Sequence, residues 1–398
     1  MRELFYQIIN DINESRCAFC RYITANDVGQ TGSHQSGFYI PKEAARLLFE
    51  EPTTKGSNKD KYVEIKWQND FITHSRFVYY GKKTRNEYRI TRFGRNFPFF
   101  NDDNVGDLLI LAQMEETNYV GYVLSADEEI DEFLSYFNLS PNSTNQLIDA
   151  RCKTRPSERL QLLLRDFVQD CDDFPKTGRM AKVARELYNQ AFHITAQQIE
   201  GYPDRYILEW LDAEYVLFQM IEEKVYASVL DKKFSSIQEF TQMANEVLNR
   251  RKSRAGKSLE HHLAYVFDRR HIIYESQVIT EGRKQPDFIF PNSDCYHDFE
   301  FPSEYLTSLA AKTTCKDRWR QVISEADRIE EKHLFTLQQA ISRNQLVEMK
   351  KAKVKLVVPH GNIMSFPQDC QGDLWDLTTF IGYLENKQEH APRHFLMG

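Results

Sequence analysis

The sequence predicts an α+β protein built as two domains of unequal size, and three observations carry that prediction. Up to about residue 126 apolar residues recur at every second position. From about 160 to 248 they recur at helical spacing, and from 258 onward short apolar runs alternate with amphipathic ones. A chain of 398 residues, 41% of them hydrophobic, exceeds one typical domain and can bury a substantial core.

In the first part, residues 62–67 alternate, 77–80 and 88–91 read as strands, and 119–124 reads as a buried strand. Gly29, Gly32 and Gly37 mark 26–37 as a loop, too rich in glycine for a helix and too polar for a core. This part is therefore strand-rich, a small barrel, closed by an acidic helix over 127–137. The stretch LSPNSTNQ at 139–146 has linker composition. We accordingly place an N-terminal domain at 1–138, a linker at 139–158 and a C-terminal domain at 159–398.

Helical spacing then predicts helices over 160–167, 180–192, 208–230 and 237–248, the last opened by Ser236 and Glu239 in a capping-box pattern. From 258 a helix with Leu259, Leu263, Val266 and Phe267 on one face precedes strands over 277–280 and 287–290. A strand over 309–313 leads into a helix over 317–331. A strand over 333–337, a helix near Gln345 and a strand over 354–358 follow. Such a series predicts an α/β core in which helices cover a mixed sheet.

Composition excludes several classes. The longest apolar run, near 108–112, is far shorter than the ~20 residues a bilayer span needs, and the apolar patch at 4–9 is too short for a signal peptide. We expect a soluble cytoplasmic protein with no membrane partner. Seven cysteines, an odd number, argue for reduced thiols, and Cys17 with Cys20 lacks the second pair a structural zinc site wants. A net charge of -7 disfavours indiscriminate coating of nucleic acid, yet local basic surfaces stand out at 82–95 and 250–257. The ending Gly256-Lys257-Ser258 is not a phosphate-binding loop, because position 251 is Arg where that motif needs Gly. A basic loop against a DNA backbone fits it better.

The chemistry concentrates in 286–325. Asp287 opens one strand and Lys312 lies near the end of the next, so side-by-side pairing brings a carboxylate and an ammonium to one edge. Asp287 with one further acid would suffice for Mg2+, which accepts few protein oxygens and keeps several waters. Lys312 would position or deprotonate an attacking water. The common nuclease signature puts its second acid two residues before the lysine, where this chain has Ala310. Glu325 is the substitute, and Glu260 adds a further oxygen. A Pro-Asp turn and a solvated helical Glu are the competing readings.

Lys316, Asp317 and Arg318 stand at a helix start. Lys and Arg can read guanine N7 and O6 while Asp accepts from cytosine N4, although a simple Asp cap with solvated neighbours explains them equally. Lys83, Arg85, Glu87 and Arg89 alternate along a strand and offer either a reading surface or a solvated face. His34 lies in the glycine-rich loop.

The segments NDVGQTGSHQ (26–35), KTRNEYRITRFGR (83–95), NRRKSRAGKSLE (249–260), PDF (286–288) and KTTCKDRWRQ (312–321) resemble the EcoRII family of restriction endonucleases. The resemblance runs through both domains and is weaker over 139–206. It implies an N-terminal double-split β-barrel that binds a second, effector copy of the DNA site, and a C-terminal PD-(D/E)XK nuclease domain with a displaced acid. Carried over by residue, Glu260, Asp287, Lys312 and Glu325 match the active site, and Lys316, Asp317 and Arg318 match the G·C-reading tripeptide. His34, Tyr39, Lys83, Arg85, Glu87 and Arg89 match effector-facing positions, whereas Tyr88 stands where the family carries a basic residue. The resemblance implies Mg2+-dependent homodimers that cut double-stranded DNA at CCWGG (W is A or T). A non-cutting DNA-binding regulator, or a nuclease of altered specificity such as one for methylated cytosine, are the alternatives.

Overall fold

The computed structural model of the chain describes residues 2–29, 37–51, 53, 55–82, 84–137, 139–140, 144–148, 158–230 and 233–392. Helix α1 (Arg2–Glu14) leads into β1 (Cys17–Tyr22), β2 (Phe38–Ile40), β3 (Lys59–Trp67), β4 (Ile72–Tyr80), β5 (Glu87–Thr91), β6 (Leu108–Gln113) and β7 (Asn118–Leu124). Helix α2 (Asp127–Tyr136) and β8 (Gln146–Ile148) follow. The strands form one curled eight-stranded sheet in the order β2-β5-β4-β3-β7-β6-β1-β8. Two antiparallel groups meet where β3 runs parallel to β7, with Ile65 opposite Tyr119.

Strand periodicity sorts the side chains into two cores. Phe19 joins Phe38, Trp67, Phe77 and Tyr119 on one face, while its neighbours Ala18 and Cys20 pack on the other with Ile8 of α1 and Phe133 of α2. Cys20 is an ordinary buried thiol, its pKa pushed up to about 12 by burial. Because β8 pairs with β1, Phe19 opposite Leu147, the N-terminal sheet extends through Ile148, into the stretch whose composition suggested a linker.

The C-terminal half begins with α3 (Glu158–Gln169), α4 (Thr177–Phe192), α5 (Ala196–Gly201), α6 (Pro203–Leu230) and α7 (Ile237–Arg269). Its sheet combines β9 (Glu275–Ser276), β10 (Phe288–Phe290), β11 (Thr307–Lys312), β12 (Lys332–Thr336) and β13 (Val354–Val357) in the order β13-β12-β11-β10-β9. It is mixed: β10 is antiparallel to both neighbours, and β11, β12 and β13 run parallel. Short α8 (Ser293–His297) and α9 (Trp319–Ile323), then α10 (Arg343–Lys351) and α11 (Leu377–His390), complete it. One face of the sheet buries Leu259, Leu263 and Phe267 of α7 with Phe380 of α11; the other buries Trp319, Leu346 and Met349. The Phe267 ring meets those of Phe288 and Phe290 edge-on at 5.4 and 5.2 Å. Such pairs contribute roughly 0.5–1.5 kcal/mol beyond burial, and here they fix the strand that Asp287 precedes. No helix among the described residues is long and apolar enough to cross a membrane.

Four expectations change. Residues 250–257 are not a loop but the middle of the 33-residue α7. Packing sustains that helix: Arg254 lies over the rings of Tyr215 and Phe218, and Arg251 pairs with Glu222. Residues 277–280 are not a strand, since β9 stops at Ser276 and Gln277 turns to φ 56°. The helix expected over 317–331 is the five-residue α9, and Ala326 at φ 52° follows Glu325, which therefore sits in a turn. Finally, β5 begins only at Glu87, so Arg85 precedes the strand and the alternation does not extend back to it.

Candidate active site

Antiparallel pairing of β10 with β11 sets Phe288 opposite Leu309, which brings Asp287 beside the end of β11. Lys312 Nζ donates to Asp287 Oδ2 at 2.9 Å, and the same oxygen accepts from the Ala311 backbone N–H at 2.7 Å. Asp287 is buried, and Lys312 is partly exposed. Glu325 and Glu260 complete the cluster. Burial, together with the Asp287 charge, pushes the Glu325 carboxyl up to about 7, against the pull of Lys312 and Lys284. Glu260, carried by α7, is raised by burial and by Asp287, and is opposed by Lys312 and a hydrogen bond from Gln277.

Ala310 shares its strand face with Lys312 but is 1% exposed and packs with Trp319 and Val322 of α9. An acid there would be buried in an apolar cluster. The turn after α9 delivers Glu325 instead. Three acids, with Lys312 ion-paired to one of them, form a set of hard oxygens, which suits a small divalent cation that keeps waters of its own. Among the described residues no group of three or more His, Cys, Asp or Glu side chains is placed to hold a metal ion by itself. Asp287 and Glu325, with Glu260 beside them, are the residues that could hold such an ion.

The tripeptide 316–318 lies against the N-terminal half. Asp127, at the start of α2, accepts from all three of its backbone N–H groups: Lys316 at 3.1 Å, Asp317 at 2.6 Å and Arg318 at 3.1 Å. In return Asp317 Oδ2 accepts from the Asp127 N–H at 3.3 Å. Lys316 is buried and ion-paired with Asp107, while Arg318 pairs with Asp131 at 2.6 Å. Burial raises the carboxyls of Asp107 and Asp127, which the Lys316 charge and the donated hydrogen bonds respectively oppose. Asp107, Asp127 and Asp131 were not singled out from sequence. The acidic character of 127–137 was visible, but not which surface it faces. A cleft of about 220 Å³ lies beside these contacts, lined by Asp131, Tyr215, Lys252, Thr313 and Arg318.

In the N-terminal sheet, His34 and Lys83 lie outside the described residues. Tyr39, on β2, is half-buried, its N–H donating to Asp27 at 3.0 Å and its carbonyl accepting from Arg21. Arg85 is exposed, its guanidinium 5.3 Å from the centroid of the Tyr80 ring. Arg89 is buried instead, donating to the Gly37 carbonyl at 3.1 Å and pairing with half-buried Glu87 at 3.4 Å. Tyr88 faces inward, 6% exposed against Tyr79 and Phe49, where a basic side chain would leave a charge buried.

Comparison with known proteins covers both halves. A family model described as EcoRII C terminal matches residues 218–381, and one described as restriction endonuclease EcoRII, N-terminal, matches residues 12–146. The Type II restriction enzyme EcoRII of Escherichia coli is 36% identical over 403 residues, covering 95% of this chain and 96% of that protein. Among solved structures, metal-depleted Ecl18kI in complex with uncleaved, modified DNA aligns with a TM-score of 0.43 and 19% identity over 60% of this chain and 85% of its own. The PspGI–substrate DNA complex aligns with a TM-score of 0.45 and 14% identity over 55% and 95%.

Proposed function

Because the chain belongs to the EcoRII family of Type II restriction endonucleases, we propose that it hydrolyses both strands of duplex DNA at a short CC/GG-containing site of the CCWGG type, leaving 5′-phosphates. The observation that carries this reading is the Asp287–Lys312 ion pair, 2.9 Å across two adjoining strand ends, with Glu325 and Glu260 near enough to feel the Asp287 charge.

Asp287 and Glu325 hold Mg2+ in this reading, with Glu260 beside them. The ion supplies Lewis-acid stabilisation of charge on the phosphate and the leaving oxygen. Lys312, held by Asp287 through one N–H, keeps its other protons for the attacking water and the phosphate. Lys316, Asp317 and Arg318 read G·C pairs.

Tyr39, Arg85 and Glu87, with His34 and Lys83, bind a second copy of the site, and buried Arg89 supports them from beneath. In the docked arrangement Asp107, Asp127 and Asp131 occupy the groups that would read bases, so specific binding has to displace them. Residues 159–398 are the endonuclease domain; the effector domain is 1–138 with β8 added, and a shorter linker follows. Two chains form a homodimer in the bacterial cytoplasm, since a two-fold protein meets a nearly palindromic site with one active site per strand.

The test is a plasmid digest with and without Mg2+ followed by sequencing of the ends. Mg2+-dependent linear product with 5′-phosphates at CC/GG sites is expected. No linear product at any enzyme level would sink the proposal.

A further inference from the structure

One stretch that the chemistry above does not use, residues 277–284, touches the surroundings of all three acids. At its start Gln277 Nε2 donates to Glu260 Oε2 at 3.2 Å and to Asp287 Oδ1 at 3.4 Å, and the Gln277 backbone N–H donates to the Asp287 carbonyl at 3.3 Å. At its end Lys284 Nζ donates to the carbonyl of Ser324, the residue before Glu325, at 2.8 Å. Between them Glu281 accepts from the Asp327 N–H at 3.1 Å and from the Tyr296 hydroxyl at 2.6 Å. The stretch closes on itself where the Thr280 N–H donates to the Lys284 carbonyl at 2.8 Å.

The backbone geometry singles out the same residues. Gln277 at φ 56°, Arg283 at φ 61° and, across the gap, Ala326 at φ 52° are left-handed without being glycine. Such conformations persist only where the surroundings over-determine them, and they cluster at functional sites. Glu260 and Glu325 each feel the Asp287 charge, so the acids repel one another unless something fixes their spacing.

We propose that residues 277–284 form a bracket that sets the spacing of Glu260, Asp287 and Glu325 for a divalent cation, with Gln277 and Lys284 as its positioning residues. This rests on the reading of those acids as the cation site. Gln277 holds the Glu260–Asp287 pair through a neutral donor, and Lys284 holds the turn that presents Glu325.

The experiment is binding of Mn2+ alone to the full chain, followed by electron paramagnetic resonance. Asp287→Ala tests the underlying site and is expected to abolish binding; wild-type binding in that variant removes the site and the bracket together. Gln277→Ala and Lys284→Met are each expected to weaken Mn2+ binding about tenfold, the scale of lost outer-shell support, at an unchanged unfolding midpoint. Lys284→Arg, which keeps a donor for the Ser324 carbonyl, is expected to stay within about twofold of wild type. Charge alone predicts the opposite sign for Lys284→Met, because deleting an ammonium beside the acids tightens cation binding. Unchanged or tighter binding in both variants, with Asp287→Ala unable to bind Mn2+, overturns the bracket and leaves the site standing. If Lys284→Met lowers the unfolding midpoint, exposed Gln277 decides the matter alone.

Discussion

Asp287 and the tripeptide 316–318 lie within one short stretch of chain, yet their polar groups are satisfied in opposite ways. Asp287 finds Lys312, Ala311 and Gln277, all inside the C-terminal half. The tripeptide finds three aspartates of the N-terminal half: Asp127 for its backbone, Asp107 for Lys316 and Asp131 for Arg318. Strand pairing within the C-terminal half therefore builds the Asp287–Lys312 pair of the proposed cutting site. The segment proposed to read the DNA site has its polar groups held by the other half of the molecule.

The largest expected effect breaks one side of that contrast without touching the other. Asp287→Ala should lower cleavage by at least about 1,000-fold while leaving specific binding in gel shifts intact; near wild-type cutting would mean the acids are wrongly assigned. Next, Asp127→Ala frees three backbone donors and should raise cleavage of a single-site substrate about tenfold, within the usual range of coupling between sites. Unchanged single-site rates would show that docking does not restrain reading. Arg85→Ala, at the exposed edge of the N-terminal sheet, should weaken stimulation by a second site about fivefold, the cost of one lost DNA contact. Equal stimulation would argue against effector binding there.

The smallest effect is on stability. Burial, with the Asp287 charge, raises Glu325 in the folded chain to about 7 from the 4.5 of an ordinary glutamate. Between those values the folded state holds more protons than the unfolded state, so without metal its contribution to stability falls as pH rises through that window. Glu325→Gln should therefore be more stable than wild type at pH 7, by about 1–2 kcal/mol after discounting for partial exposure, and equal to it near pH 4. Melting curves at the two pH values would check this, and a difference that grows toward acid would contradict it.

Much of this was legible in the sequence because it is local or periodic. Alternation located β3, short strand-like runs located β5 and the end of β4, and a buried apolar run located β7; the expectation that Asp287 and Lys312 meet needed only two neighbouring strands. The failures have physical causes. Around 250–257 a glycine and a polar run imitate a loop, and only the rings of Tyr215 and Phe218 under Arg254 reveal a helix. At 277–280 the buried Val278 and Thr280 imitate strand alternation, but the left-handed Gln277 sits where no strand can continue. Asp107 and Asp127 escaped notice because their partners lie about 200 residues away in the chain, beyond the reach of any local pattern.

The pairing of β8 with β1 has a mechanical consequence. It anchors the N-terminal half through Ile148, so only ten Cα-to-Cα steps separate that sheet from Glu158 at the start of α3. Fully extended, such a tether reaches about 35 Å. Whatever parts Asp127 from the tripeptide, it cannot dilute it: the aspartates stay at an effective concentration on the order of millimolar, and any DNA that takes their place must outbid them for as long as it stays.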